Sequence, residues 1–415
     1  MNARSENPDE GAHLPTRGSD QGGLRQYNER VVLQAVRLQG ALPGAEIARL
    51  TGLTAQTVSV ITKRLLQDGL LRKGEPVRGK VGQPSVPLSL HPEGAYAVGI
   101  KVGRRSVDTL LVDFTGQVCQ RWQLSYAQAD PKLLLPEIRS RLQEIGRKLG
   151  PERRGRVQGI GVAAPLALGG WQSLLGMPPE VADTWQAVDL AGAIAAFAPW
   201  PVTVIKDTAA ACLAELVTGR GHSIGSFLYI FVDTFIGGGL VLDSKLRGGL
   251  SGNAGAVGSM PLWPAGQGRD GASMPPQLLS VASLLPLEKA YAAAGLDSMA
   301  AADGRALQAP WQPITQSWLE TAAAAIAQTI VSSACLLDID SVVLDGSFSR
   351  ELLAALLDRT AQALSRYDWE GVARPPLQAG TIGSDARALG GALLPLHANF
   401  SPNRDLFIKL GAREA

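Results

Sequence analysis

From Ala95 onward the chain runs one order of elements twice, and this repetition limits its fold more than any other feature. AYAVGIKVG, SVDTLLVDF and QVCQRWQLSY are closely spaced runs rich in Val, Leu and aromatic residues, the pattern of β-strands. A helix pattern follows near 131–149, then a strand at 159–163, a helix at 188–197, a strand at 202–205 and a helix at 208–218. FLYIFVD and GGLVLDSKL reopen the series as a hairpin, and a long helix at 316–337, a strand at 341–344 and helices after Ser349 and Asp385 complete it. Two β-β-β-α-β-α blocks in tandem predict an α/β body of two similar lobes closing on a cleft, with the loops after the first strands aimed into it.

At 415 residues the chain exceeds one ordinary core and predicts two or three domains. Its 46% hydrophobic and 18% charged residues are those of a soluble globular protein. Residues 1–20 are polar, with Pro and Gly and no apolar stretch, and read as a disordered tail, not a signal peptide; 396–415 read as a second tail. The most apolar segments, 187–205 and 321–337, are interrupted by Asp189 and Pro199, or by Gln328 and Ser332, so no membrane span is expected and the predicted location is the cytoplasm. Cys119, Cys212 and Cys335 are odd in number and far apart, and His13, His91, His222 and His397 are scattered. That excludes a disulfide framework and leaves no metal site or cofactor expected.

Ahead of the body, residues 41–70, ALPGAEIARLTGLTAQTVSVITKRLLQDGL, hold two short amphipathic helices joined by a glycine turn. Ile47, Ala48 and Leu50 give the first an apolar side, Gly52 tolerates positive φ, and Thr54 is placed to cap the second. Val58, Ile61 and Leu65, at i, i+3 and i+7, face inward and leave Gln56, Thr57, Ser59, Val60 and Lys63 outward. A preceding helix at 24–38 supplies Val31, Val32, Ala35, Val36 and Leu38, and RKGEPVRGKVGQPSVPLSL after the hairpin reads as two short strands around a basic tip. Pro43-Gly44 stands where a capping Ser or Thr would open the first hairpin helix. Residues 21–90 carry ten Lys and Arg against four Asp and Glu, net +6, while the whole chain is only +2. A basic module on a mildly acidic body is the footprint of a DNA-binding head, against the plainer reading of an αα-hairpin with a solvated polar face. The head is predicted as a winged helix-turn-helix over 21–90 that binds double-stranded DNA through Gln56, Thr57, Ser59, Lys63, Arg64, Arg78 and Lys80.

The order of this head, the Gly-Gln-Pro at 82–84, the three-strand opening, PVTVIKDTAAACLAE, FIGGGLVLD and GNAGAVGSMP resembles the ROK family of repressors, open reading frames and kinases over residues 22–394. The resemblance implies an actin-like, sugar-kinase-type body with one lobe at 95–225, a second at 226–395 and a C-terminal helix returning to the first. Kinase members phosphorylate sugars with ATP, and repressor members sense sugars in the same cleft. The family's first phosphate loop, Asp-x-Gly-Gly-Thr, reads Lys101-Val102-Gly103-Arg104-Arg105 here, and its second, Gly-Thr-Gly-Ile-Gly, reads Asp233-Thr234-Phe235-Ile236-Gly237. Asp207 matches the general base, but Lys206 precedes it and is expected to pair with it and lower its basicity. The family's sugar-binding Glu and its sugar- and zinc-binding His are Ala256 and Ser259, with no cysteines following for the zinc loop.

These departures predict a regulator and not an enzyme, because phosphoryl transfer needs both phosphate loops and metal positioned together. Asp207, Asn253, Gly255 and Ser259 are the expected contacts to a sugar-type effector. Asp207 reads equally as a helix N-cap, and Asn253 also as a turn residue. Trp171 and Trp185 read as packed residues more than stacking platforms. The reading is a repressor of carbohydrate metabolism acting as a homodimer or tetramer on a palindromic operator. The alternatives are an ATP-dependent sugar kinase retaining the DNA-binding head, and a regulator whose cleft binds no small ligand.

Overall fold

The computed structural model describes residues 21–76, 85–166, 183–185, 188–263 and 275–402, and it divides into two units, Met1–His91 with Phe400–Ala415, and Pro92–Asn399. The tail expected at 1–20, the tip at 77–84, Trp171 and most of the tail at 396–415 lie outside the described residues.

The first unit holds helices α1 (Gln21–Gln39), α2 (Gly44–Thr51) and α3 (Ala55–Gln67), then strands β1 (Leu71–Lys73) and β2 (Leu88–Leu90) paired antiparallel. Helix α2 ends because Gly52 adopts φ 69° and donates its N–H to Ala48 O, and α3 starts because Thr54 Oγ1 accepts from Thr57 N at 3.1 Å. Pro43 leaves the start of α2 without a side-chain cap. Val32, Val36, Ile47, Val58, Ile61 and Leu65 are buried, and Leu33 joins them. Leu38 and Leu50 depart from the apolar-face reading: both stand in the last turn of their helix and are exposed.

The second unit contains two five-stranded sheets of identical plan. Strands β3 (Tyr96–Val102), β4 (Ser106–Asp113), β5 (Val118–Ser125), β6 (Val157–Ala164) and β7 (Val202–Lys206) lie in the order β5-β4-β3-β6-β7. The first three form an antiparallel meander, and β6 and β7 add in parallel after crossovers containing α4 (Pro131–Arg154) and α5 (Leu190–Ala195). Helix α6 (Asp207–Thr218) follows β7 directly. Strands β8 (Phe227–Val232), β9 (Ile236–Leu242), β10 (Lys245–Arg247), β11 (Ser341–Gly346) and β12 (Leu377–Ala379) repeat the plan as β10-β9-β8-β11-β12. Helices α7 (Leu278–Ala282), α8 (Leu284–Ala293) and α9 (Gln312–Leu337) lie between β10 and β11, α10 (Arg350–Leu364) before β12, and α11 (Ala386–Phe400) last.

GGLVLDSKL was expected as one strand and is two. Asp243 and Ser244, at φ 55° and 59°, make a two-residue reversal without glycine between β9 and β10. Helix α9 has the length and apolar composition to cross a bilayer, yet its Trp318, Leu319, Ala322, Ile326 and Ile330 are buried in the core of the second sheet. Helix α11 lies tight on the first sheet: a Cβ at Gly99 would sit 2.2 Å from Ala388 O, and one at Gly161 2.0 Å from Gly391 O. Only glycine in β3 and β6 allows that approach, which fixes where Arg387 emerges.

Candidate functional site

In the first unit, Gln56, Ser59, Val60 and Lys63 stand exposed on α3. Thr57 is partly covered and committed to the helix start, its Oγ1 2.8 Å from Thr54 Oγ1. Arg64 turns back onto α1 and pairs with Glu29 at 3.2 Å and with Asp68 at 3.7 Å. Arg78 and Lys80 lie outside the described residues. Of the residues singled out in the head, α3 therefore brings together Gln56, Ser59 and Lys63 as an open polar face, with Val60 among them.

In the second unit, a cleft of about 550 Å³ opens between the two sheets, a size suited to a small ligand. Its walls come from matching places in the two halves: the β3–β4 turn with Gly103, Arg104 and Arg105, and the β8–β9 turn with Asp233, Thr234 and Phe235. The two turns meet. The Arg104 guanidinium lies 4.2 Å from the centre of the Phe235 ring, and Arg105 grips Glu288 of α8 with two bonds of 2.8 and 2.6 Å. Lys101 Nζ donates to Ser106 Oγ at 2.8 Å and to Asp108 at 2.7 Å.

From α11, Arg387 reaches Asp233 at 2.5 Å and stands 3.8 Å from Asp207. Burial works to raise the Asp233 carboxyl, but Arg387, Lys101 and the Thr234 N–H together hold it below the ordinary carboxylate range. Burial likewise works against the Arg387 charge, and Asp233 and Asp207 overcome it, raising its pKa. For Lys101, burial and then the neighbouring Arg387 prevail over Asp108 and lower its pKa. The acid at 233 is thus neutralised in place by Arg387.

Asp207, Asn253 and Ser259 line the cleft. Asp207 is the first residue of α6, and its Oδ1 accepts from Thr208 N at 2.8 Å, so the carboxylate serves the helix start while facing the cleft. The cation within 4 Å of it is Arg387, not Lys206 as expected; Lys206 Nζ turns to Gly238 O at 3.3 Å, and Lys206 and Arg104 act on Asp207 from farther off. Gly255 is not among the lining residues; at φ 71°, a Cβ there would sit 2.8 Å from the Gly239 backbone. Trp185 is buried with Nε1 donating to Ala129 O at 2.7 Å, a packed residue. Sequence reasoning missed Arg387, Glu288 and the Arg121–Asp385 pair, and no local signal marks them. Arg105 and Glu288 are 183 positions apart, and Arg121 and Asp385 264. Among the described residues, no group of three His, Cys, Asp or Glu is arranged to hold a metal ion.

The ROK family model matches residues 97–397. The xylose repressor of Caldicellulosiruptor bescii is 25% identical over 235 residues, 57% of this chain and 58% of that protein. The chain spans less than two thirds of the length of that repressor and of its Bacillus subtilis counterpart. Among solved structures, a ROK family transcriptional regulator homologous to the E. coli MLC protein covers 91% of this chain and 98% of its own, with a TM-score of 0.67 at 20% identity. A ROK glucokinase from Streptomyces griseus, solved with glucose and AMPPNP, covers 72% of this chain and 99% of its own, with a TM-score of 0.57 at 19% identity.

Proposed function

This chain belongs to the ROK family, and from that premise we propose that it is a DNA-binding transcriptional regulator, a repressor of carbohydrate genes, whose cleft binds a sugar-type ligand without transferring phosphate. The observation that carries the proposal is the contact between the two hairpin turns. Arg104 on Phe235, Arg105 on Glu288 and Arg387 on Asp233 fill the place where a kinase needs open glycine loops around nucleotide phosphates. A hydroxyl-binding cleft needs much less, and Asp207, Asn253 and Ser259 supply a carboxylate, an amide and a hydroxyl toward one.

The head is a winged helix-turn-helix in this reading. Helix α3 enters the major groove with Gln56 and Ser59 toward base edges, Val60 toward a thymine methyl and Lys63 toward phosphate. That the regulator structure matches 91% of the chain and the glucokinase 72% supports a fold shared beyond the body. Two copies on a two-fold axis would read a palindromic operator. Ligand alters operator affinity through its different affinities for two arrangements of the lobes, with a coupling of about 1–3 kcal/mol. The sugar-kinase alternative is favoured by one observation, Asp207 at the start of α6 where the family's base stands; the nearby Arg387 works against it.

The test is operator binding by fluorescence anisotropy, with and without sugars, beside a coupled assay for ATP turnover. Gln56→Ala is expected to relax discrimination at one base pair by about 1–3 kcal/mol, whereas Lys63→Ala weakens all sequences alike and reduces the salt slope by about one unit. Unchanged selectivity in Gln56→Ala would remove α3 from the groove. Sugar-dependent ATP turnover that disappears in Asp207→Asn would establish the kinase instead.

A further inference from the structure

The charges of the cleft do not balance, and the imbalance has an address. Among the described residues six cations and five carboxylates line it. Four cations are matched: Lys101 with Asp108, Arg105 with Glu288, Arg121 with Asp385, and Arg387 with Asp233. The fifth carboxylate, Asp207, stands 3.8 Å from Arg387. Arg104 and Lys206 are left. Lys206 donates to the Gly238 carbonyl, which satisfies a donor without cancelling a charge. Arg104 has no hydrogen bond and no carboxylate within 4 Å among the described residues, Asp207 and Asp233 acting on its charge only from farther off, and its Nε is buried without an acceptor. The Phe235 ring holds that guanidinium in the cleft wall, so its direction is set before anything binds.

We infer that the cleft is built for a hydroxylated monocarboxylate, a sugar acid, whose carboxylate pairs with Arg104 while its hydroxyls meet Asp207, Asn253 and Ser259. The inference rests on the reading of the cleft as a ligand site and deepens it. A guanidinium fork matches a carboxylate with two parallel bonds, and a partly buried cation with no carboxylate bonded to it is costly until one arrives. Among the described residues the excess is a single charge. A phosphate ester brings about −1.5 to −2 and would meet five carboxylates against a net excess of one positive charge among the described residues. A neutral sugar would leave Arg104 as it is.

The experiment is isothermal titration calorimetry on the intact protein, with D-glucose, D-gluconate, D-glucuronate and glucose 6-phosphate, and with D-xylose and D-xylonate. An acid is expected to bind about tenfold or more tighter than its neutral parent, as a charge-assisted hydrogen bond allows, and tighter than the phosphate ester. Added salt should narrow that gap. Arg104→Gln should abolish the preference while leaving the Kd of the neutral sugar within about twofold; Arg104→Lys, which keeps the charge, should retain part of it, and ligand-free melting of both variants checks that they fold. If neutral sugars bind as well as or better than the acids, or if Arg104→Gln keeps the ratio, the inference falls while the ligand site stands. Tightest binding by glucose 6-phosphate also overturns it, in favour of a dianion. If no compound binds, the inference and the reading of the cleft fall together.

Discussion

The β3–β4 turn and the β8–β9 turn occupy the same place in the same strand plan, yet one presents Arg104 and Arg105 and the other Asp233 and Phe235. Each turn is closed by its own backbone, Gly103 N to Ser106 O at 3.0 Å and Asp233 N to Phe235 O at 3.2 Å. Side chains can therefore change there without disturbing either sheet. Here they form a complementary set: the cationic turn of the first half engages the aromatic ring and Glu288 of the second, and Arg387 holds the acid. A duplicated framework fixes where a turn sits, and the turn's side chains decide whether the halves receive phosphate between them or bond to each other.

Substitutions in the two turns can break this comparison, and the largest effect belongs to Asp233→Ala. It leaves the buried Arg387 with Ser347 Oγ at 3.2 Å and with Asp207 as the one carboxylate within 4 Å among the described residues, at 3.8 Å, and breaking a buried pair from one side should cost about 3 kcal/mol in urea unfolding followed by tryptophan fluorescence. Because the Asp233 carboxyl is held below its ordinary range, its contribution is fully present above about pH 4 and is lost as pH falls below that. The stability gap between parent and variant should close on acidification; a gap that widens would refute the pairing. Arg105→Ala comes next, at about 1–2 kcal/mol, since Arg105 is half-exposed and water can replace part of its bond to Glu288. Phe235→Leu is the smallest, removing the ring beneath Arg104 for about 0.5–1 kcal/mol. A double-mutant cycle of Arg104→Gln with Phe235→Leu sharpens it: additive losses would mean the two halves do not engage through this contact.

Much of this framework is readable from residue patterns, because strands β3, β4, β8 and β11 are short segments rich in apolar residues and α6 and α9 are helix-length segments. The signal faded where elements were short or turns irregular: β12 is three residues, and the β9–β10 reversal uses Asp243-Ser244 in place of Asn-Gly. On the head, Gln56, Ser59 and Lys63 follow from helical spacing alone, but the engagement of Arg64 with Glu29 does not. In the cleft, the loss of glycines at 104, 233 and 235 is plain in the sequence, while its consequence depends on residues far along the chain. Asp233 reads as a lone acid until Arg387 is beside it, and Lys206 reads as the partner of Asp207 until its side chain is seen on Gly238.

The doubled α/β order, the basic head and the residues standing in each turn are legible along the chain, because periodicity, propensity and charge are local properties. Tertiary structure alone decided which charges cancel and which is left over. Glu288, Asp385 and Arg387 reach the cleft from helix or turn positions far along the chain, Arg387 on a helix whose approach depends on glycines in β3 and β6. Coulomb interaction depends on separation in space and on burial, and neither is set by distance along the sequence.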